Sequence, residues 1–436
     1  MGLAVNLLFL AILYSFPSSF YNVQIPVNEY TQNIYRYSDV MTYVRPAFNY
    51  IHTGVFGTGN VPDHFRTIGY PYILSVFMRL SPGNWVLILQ ICQCLAFASL
   101  YPAISLVSGL LFRNLPPVFY KALFVFSLAS GIFFTRVPCV LSDLLFTMLF
   151  LWGVYYILCA TLHNKWYQYL LYILFITAAA LIRPTLSVFP VIGVVLMIHM
   201  AAQRNIRFRT RLIPAVISCC ILLASCNIST FRNYVNYHFF SPSSVVGINI
   251  YVCFGRKVLK EIHHEAEADS ITAAIARVPD IGEKTRLRKE AGIRILLQHP
   301  LPSAKVLFMS TLSTLLDNNL VNSTFNFFGY SWKSYYYSDV NKYKSSAFCY
   351  YATYLLMGLY LLLWLIFLAG MIRLLGERQY YMLIFGTYLF VMFIIPAIIT
   401  GDGGSRFRLT FDWFLHIVVI RELVFWLSSR NKTNAS

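Results

Sequence analysis

The chain has 436 residues, of which 58% are apolar, 17% aromatic and 12% charged. The charged share is about half the usual one, and several apolar runs reach the roughly 20 residues that cross a bilayer. An ordinary soluble domain is excluded, and the expected class is an all-α polytopic membrane protein. The net charge of +17 has no Lys/Arg stripe interleaved with aromatics outside the apolar runs, so topology accounts for it better than nucleic acid.

In chain order, candidate spans fall at 1–20, 84–111, 117–134, 139–160, 166–183, 185–202, 212–230, 347–371, 380–400 and 409–428. The first lacks a small-residue cleavage site and is expected to remain as an anchor. With the N-terminus in the cytoplasm, the inner loops are 112–116, 161–165, 203–211, 372–379 and the tail from 429. They carry Arg113, Lys165, Arg204, Arg207, Arg209, Arg211, Arg373, Arg378, Arg430 and Lys432, as the positive-inside rule requires. On that orientation the cytoplasmic acids are Glu377 and Glu422, while Asp39, Asp63, Asp143 and Asp402 belong to the far side. Chemistry is therefore expected outside the cytoplasm.

The first external loop, 21–83, contains the most informative stretch, YRYSDVMTYVRPAFNYIHTGVFGTGNVPDHFRTIGYP (35–71). Val40, Val44, Phe48 and Ile51 recur at helical spacing, so Asp39 opens an amphipathic helix that Pro46 kinks or delays. Gly57-Thr58-Gly59 reads as a turn. Residues 231–346 form the largest region between apolar runs and read as an external helical insert. Within it, 255–299 carries both charge signs, and Asp280 and Glu283 suit the start of a helix. The run 301–320 reads as a re-entrant or surface helix, or half of a paired crossing. A single crossing there would place Arg373 and Arg378 on the wrong side. Residues 1–230 thus form an N-terminal transmembrane module and 347–436 the C-terminal transmembrane helices.

Charges at the outer ends of spans are costly unless hydrated, paired or binding something. Asp39 suits a helix N-cap, or an acid held at a reaction centre. Asp143 either complements the dipole of the fourth span or has a helper role, orienting an acceptor or pairing an arginine. Arg66, Arg136, Arg183, Arg232, Arg406 and Arg408 stand at that same face. Each alone fits snorkelling or an ion pair; together they suit a phosphate held by forked guanidinium groups. His263, His264, Glu265 and Glu267 lack HExxH spacing and read as a solvated helix face. Cys92 and Cys94, and the Cys219–Cys220 pair, lack metal-ligand spacing and read as packing. Trp332 with Tyr335, Tyr336 and Tyr337 fits an interfacial belt or a sugar-stacking surface. No phosphate-binding GxxxxGK[ST] occurs, which argues against ATP-driven transport.

YSDVMTYVRPAFNYIHTGVF followed by FRTIGYPYIL resembles the first external loop of the GT-C membrane glycosyltransferases. That group includes the protein O-mannosyltransferases and the bacterial aminoarabinose transferases of lipid A. The likeness continues through VLSDLLFTMLFL, LIRPTLSVFP, STFRNYVNYHFFSPSSVVGINIY and SRFRLTFDWFLHI, in the family's order. The resemblance implies a GT-C bundle of about ten to twelve transmembrane helices, with amphipathic helices in the first external loop. It also implies an inverting transfer of a sugar from a polyprenyl-phosphate donor to a glycolipid, polysaccharide or protein acceptor. The site would face the periplasm of a bacterial inner membrane. Asp39 matches the family's first-loop acid and Asp143 a second acid, usually Glu. Arg66, Arg183, Arg232 and Arg406 or Arg408 would hold the donor phosphate, with Tyr70 of the FRTIGYP run beside them. No metal or other cofactor is implied. A lipid-linked saccharide flippase or other transporter, and an O-antigen polymerase or ligase, are the competing expectations.

Overall fold

The structure is a computed structural model describing residues 39–112, 114–129, 140–204, 209–316, 347–400 and 404–433, together with Ala4. The readings made for segment 1–20 and for Arg113, Arg136, Arg207, Trp332, Tyr335, Tyr336, Tyr337 and Asp402 lie outside the described residues, as do the Arg406, Arg430 and Lys432 side chains.

The described chain is helical but for one two-stranded antiparallel turn, β1 (Gly57–Thr58) with β2 (Val61–Pro62). The helices begin with α1 (Val40–Thr53), α2 (Gly69–Leu80), α3 (Trp85–Leu111) and α4 (Pro117–Ala129). Then come α5 (Asp143–His163), α6 (Trp166–Ile182), α7 (Phe189–Gln203), α8 (Arg209–Cys226) and α9 (Ile228–Tyr237). The insert supplies α10 (Val245–Ile248), a π turn at Asn249–Gly255, α11 (Arg256–Glu261), α12 (Glu265–Ala276) and α13 (Ile281–Gln298). After α14 (Pro300–Leu316) come α15 (Ala347–Gly376), α16 (Tyr380–Leu389), α17 (Ile395–Thr400) and α18 (Gly404–Thr433).

Among the described residues, five stretches are long and apolar enough to cross a membrane: Trp85–Leu111, Asp143–His163, Thr210–Tyr237, Tyr354–Gly376 and Tyr380–Ile399. Pro117–Leu128, Trp166–Ile182 and Phe189–Gln203 are apolar but shorter. The seventeen residues of α6 extend about 26 Å, just under a hydrocarbon layer of roughly 30 Å.

The expected span 409–428 lies within α18, where Asp412, His416, Arg421 and Glu422 interrupt the apolar run. Residues 408–420 are nonetheless buried, with Trp413, Phe414 and Val418 at 0% exposure. This part of the helix packs among α4, α5, α14 and α15.

The main core joins α3, α5, α7, α16 and α18 through residues such as Leu89, Phe146, Phe150, Phe189 and Met382. A second, smaller core is built inside the insert from Tyr251, Phe254, Val258, Leu259, Ala291 and Ile295, with Val306 of α14. Asp280 caps α13 by accepting the Glu283 amide at 2.6 Å, the role its sequence position suggested.

The loops expected on one face do gather at one end of the bundle. There Arg204 donates to Leu110 O (2.5 Å), Arg211 to Thr161 O (2.7 Å) and Tyr381 to Leu111 O (2.6 Å). Arg421 bridges Glu377 (2.6 Å) and Glu422 (3.1 Å), and Arg373 pairs with Glu422 at 3.0 Å. Thr161 is near the last turn of α5; Asp143 is its first residue, about 27 Å away along the helix axis.

Candidate functional site

Helix α1 forms because Val40, Tyr43, Val44 and Ala47 bury one face against α2, and it runs on through Pro46. It stops at Gly54, whose φ of 75° closes the last turn with an N–H to Tyr50 O. Asp39 occupies the N-cap position, yet its side chain makes no capping hydrogen bond. Its carboxylate instead pairs with Arg66 at 3.0 Å. Arg66 Nε donates to Thr42 Oγ1 at 2.8 Å, and that hydroxyl donates to Asp39 O at 2.6 Å. The guanidinium also lies 4.4 Å over the Tyr43 ring.

The loop that delivers Arg66 is fastened at successive points. Asp63 accepts the amides of Phe65 (2.8 Å) and Arg66 (3.1 Å), an Asx turn that fixes the backbone at the arginine. Ser243 donates to Phe65 O at 2.6 Å, Ser244 N to His64 O at 3.1 Å, and Tyr237 donates to Pro62 O. Thr67 donates to Ile182 O at 2.8 Å. A Cβ on Gly69 would come within 2.5 Å of Leu181 O, so only glycine lets α2 start this close to the end of α6.

That end of α6 leads to Arg183, extended before Pro184 as a pre-proline residue must be. Arg183 reaches back 2.8 Å to Asp143, which is completely buried as the first residue of α5. The neighbouring Ser142 hydroxyl lies 3.2 Å from the Tyr43 hydroxyl, which ties this second ion pair to the first. Tyr70 is fully buried, its ring edge-on to Tyr43 with centroids 5.0 Å apart.

Arg232 enters from α9. Its Nη2 donates to Arg66 O at 3.1 Å, and its Nε and Nη2 both donate to Asn233 Oδ1, at 3.2 and 3.0 Å. Asn233, itself buried, donates to Ser241 O at 2.9 Å. The fork is therefore oriented by a neutral amide, and among the described residues the buried Arg232 Nη1 has no hydrogen-bond partner.

Asp39, Arg66, Tyr70, Asp143, Arg183 and Arg232 thus belong to one connected set, brought from four separate stretches of chain. Arg408 is placed differently. It is completely buried in α18, paired to Asp412 at 2.9 Å, donating to Thr314 O and Leu315 O, and stacked 4.5 Å from Tyr360. These partners lie outside the Arg66 set.

Thr42, Tyr43, His64 and Asn233 are members to which sequence reasoning gave no role, and Asp63 was placed only as an acid of the far face. The Asp63 turn was readable in part, since an Asp in a loop commonly accepts the backbone amides just after it. Nothing in the sequence marks Asn233, whose role depends on a loop folding back over it. His264 is 3.1 Å from Glu267 on an exposed helix face, and the described residues contain no cluster of three or more potential metal ligands.

Burial pushes His64 below its ordinary value of 6.5; Asp63 opposes this, while Arg232, Arg288 and Lys284 add to it. Burial also raises Asp63 above 3.8, offset by the amides it accepts and by Arg232 and His64. For His64 the neutral form is favoured on folding. Its contribution is complete above about pH 6.5 and is lost as pH falls through the lower folded value. The Asp63 shift has the opposite sign and acts from about pH 3.8 upward. Between pH 7.5 and 5.5 the melting midpoint in neutral detergent should therefore fall for the wild type and fall less for His64→Asn. Parallel profiles would show that His64 does not couple to folding.

Comparison with protein-family models, curated proteins and solved structures finds no match for this chain.

Proposed function

We propose that the chain is an integral-membrane glycosyltransferase with a GT-C-type bundle. It moves a sugar, with inversion, from a polyprenyl-phosphate donor to a glycolipid, polysaccharide or protein acceptor on the non-cytoplasmic face of a bacterial inner membrane. The observation that carries the reading is the junction at Arg66. One arginine binds the first-loop acid Asp39 at 3.0 Å and offers its own carbonyl to Arg232 at 3.1 Å. The Tyr43–Ser142 contact leads on to the Asp143–Arg183 pair.

In this mechanism the acceptor hydroxyl gives its proton to Asp39 as its oxygen attacks the anomeric carbon. The bond from that carbon to the phosphate oxygen breaks, and its electron pair leaves with the phosphate. Arg66, Arg183 and Arg232 stabilise the charge that builds there, and fixed guanidinium forks need no reorganisation to do so. The polyprenyl tail partitions among the apolar helix faces. The arginine-rich opposite end, with Arg204, Arg211, Arg373 and Arg421, supports the proposed orientation.

The test is transfer from labelled lipid-linked sugar by purified protein in the presence of extracted membrane acceptors. Arg66→Ala and Arg232→Ala should each lower turnover by about 100-fold or more with the yield of folded protein retained. Loss of folded protein in step with activity would assign both arginines to the fold.

A secondary transporter is the second reading, favoured by one observation. Arg408, Asp412 and His416 line up at four-residue intervals inside buried α18, and His416 Nδ1 lies 3.3 Å from Ser127 Oγ. Movement of intact lipid-linked sugar across a vesicle membrane without transfer would support it over the enzyme.

A further inference from the structure

We propose that the helical insert is the positioning element for Arg66: through Tyr237, Ser243 and Ser244 it holds the backbone of loop 62–66, and so fixes where that guanidinium stands against Asp39. The coupling of insert to loop stands on hydrogen bonds and packing; its effect on transfer rests on the glycosyltransferase reading.

Loop carbonyls ordinarily face water. In this loop, carbonyls are taken by one stretch of chain 166 to 180 residues further on. Tyr237 Oη donates to Pro62 O, Ser244 N to His64 O at 3.1 Å, Ser243 Oγ to Phe65 O at 2.6 Å and Arg232 Nη2 to Arg66 O at 3.1 Å. Ser244 Oγ adds a contact of 2.7 Å with His64 Nδ1. Ser243 and Ser244 are both buried, so their hydroxyls depend on these partners in place of water. From the other side, Asp63 N donates to Phe56 O at 2.6 Å, and the Asp63 carboxylate takes the Phe65 and Arg66 amides. Arg66 is thus held at its carbonyl by the insert and at its amide from within the loop. That aims its side chain at Asp39, 3.0 Å away.

Behind this contact the insert has little slack. A Cβ on Gly282, in the first turn of α13, would come 2.2 Å from Tyr237 O. One on Gly247 of α10 would come 2.8 Å from Thr285 O of α13, and one on Gly292 of α13 would come 2.9 Å from Ile250 O. Backbone therefore lies on backbone along α13, at separations that only glycine permits. Ser243 Oγ also accepts the Val245 amide at 3.1 Å, which ties the serine to the start of α10. A shift of α13 therefore moves Tyr237 and the two serines, and with them the loop, because close-packed elements transmit displacement.

The experiment measures hydrogen exchange by mass spectrometry on the full chain in neutral-detergent micelles, at the peptide carrying the bonded amides of Asp63, Phe65 and Arg66. Tyr237→Phe/Ser243→Ala removes two of the donors to the loop. It should raise exchange there at least about tenfold, with exchange in α5 and the melting midpoint unchanged. Ser243→Thr keeps a hydroxyl and should exchange as wild type. Gly282→Ala acts on the loop through Tyr237 and should raise the same exchange. Wild-type exchange at 63–66 in the double variant overturns the coupling, and wild-type exchange in Gly282→Ala overturns the part given to α13. Transfer from labelled lipid-linked sugar is read in parallel. The double variant's kcat per folded molecule should fall about tenfold or more at unchanged acceptor KM, and Ser243→Thr should keep the wild-type value. Raised exchange with wild-type kcat overturns the positioning of Arg66. Raised exchange in a chain that transfers no sugar even as wild type leaves the coupling of insert to loop standing and removes the transferase reading.

Discussion

Asp39→Asn is expected to abolish sugar transfer while leaving the protein folded. The two halves of that outcome have separate physical grounds. An amide in place of the carboxylate can still accept from Arg66, whose guanidinium is also held by Thr42 at 2.8 Å and Tyr43 at 4.4 Å. The side chain makes no capping bond to α1, so the helix loses no donor partner. The ion pair itself is partly solvated, with side-chain exposures of 29% and 16%, and such pairs contribute about 0–1 kcal/mol. The melting midpoint should therefore move little. The amide cannot accept a proton, however, and loss of a positioned base costs about 100- to 10,000-fold in rate. Asp39→Glu keeps the carboxylate but displaces it by one methylene, and should fall between wild type and Asn. Radiolabel transferred per folded molecule is the measurement. An Asn variant retaining more than about a tenth of wild-type turnover would remove proton transfer by Asp39 from the mechanism.

Local signals were legible in the sequence, and partners across long loops were not. The apolar runs, the helix after Asp39, the Asp280 cap and the gathering of basic loops at one end follow from periodicity, composition and charge placement, each a short-range property. Asp39 suited both a cap and a catalytic acid, because the same position at the start of a helix serves either. Only the route of Arg66, 27 residues on, decides between a capping side chain and an ion-paired one. The Asp143–Arg183 pair hides for the same reason, since a buried acid at the head of an apolar helix can serve its dipole or a distant cation. Asn233 is invisible until residues 241–244 fold over it. The arginine at 408 is a different case. The four-residue spacing from Arg408 to Asp412 was readable as a helical ion pair, but its company at the end of an apolar run suggested a phosphate ligand.

That spacing leads to the second large effect: Arg408→Met should destabilise the protein by about 3–5 kcal/mol, the cost of leaving one member of a buried pair alone. Arg408 is 0% exposed and Asp412 1%. Arg408 Nε bonds both carboxylate oxygens, at 2.9 and 3.0 Å, while Nη1 donates to Thr314 O at 3.0 Å and to Leu315 O. Thr314 and Leu315 lie in the last turn of α14, whose carbonyls have no partner within the helix, so the arginine caps α14 from α18. Trp364 adds a bond to Leu315 O at 2.9 Å, fastening α15 to the same helix end. Methionine removes the cation and strands the carboxylate in a site closed to water. Arg408→Lys supplies charge without the planar fork and should recover only part of the loss. In Arg408→Met/Asp412→Leu the orphaned charge is gone as well, so the double variant should melt above the single one. Thermal unfolding in detergent orders the three variants. A single variant as stable as wild type would contradict the capping role. A double variant that is folded yet transfers no sugar would return Arg408 to the donor site, and normal transfer by the same protein would keep it in the fold.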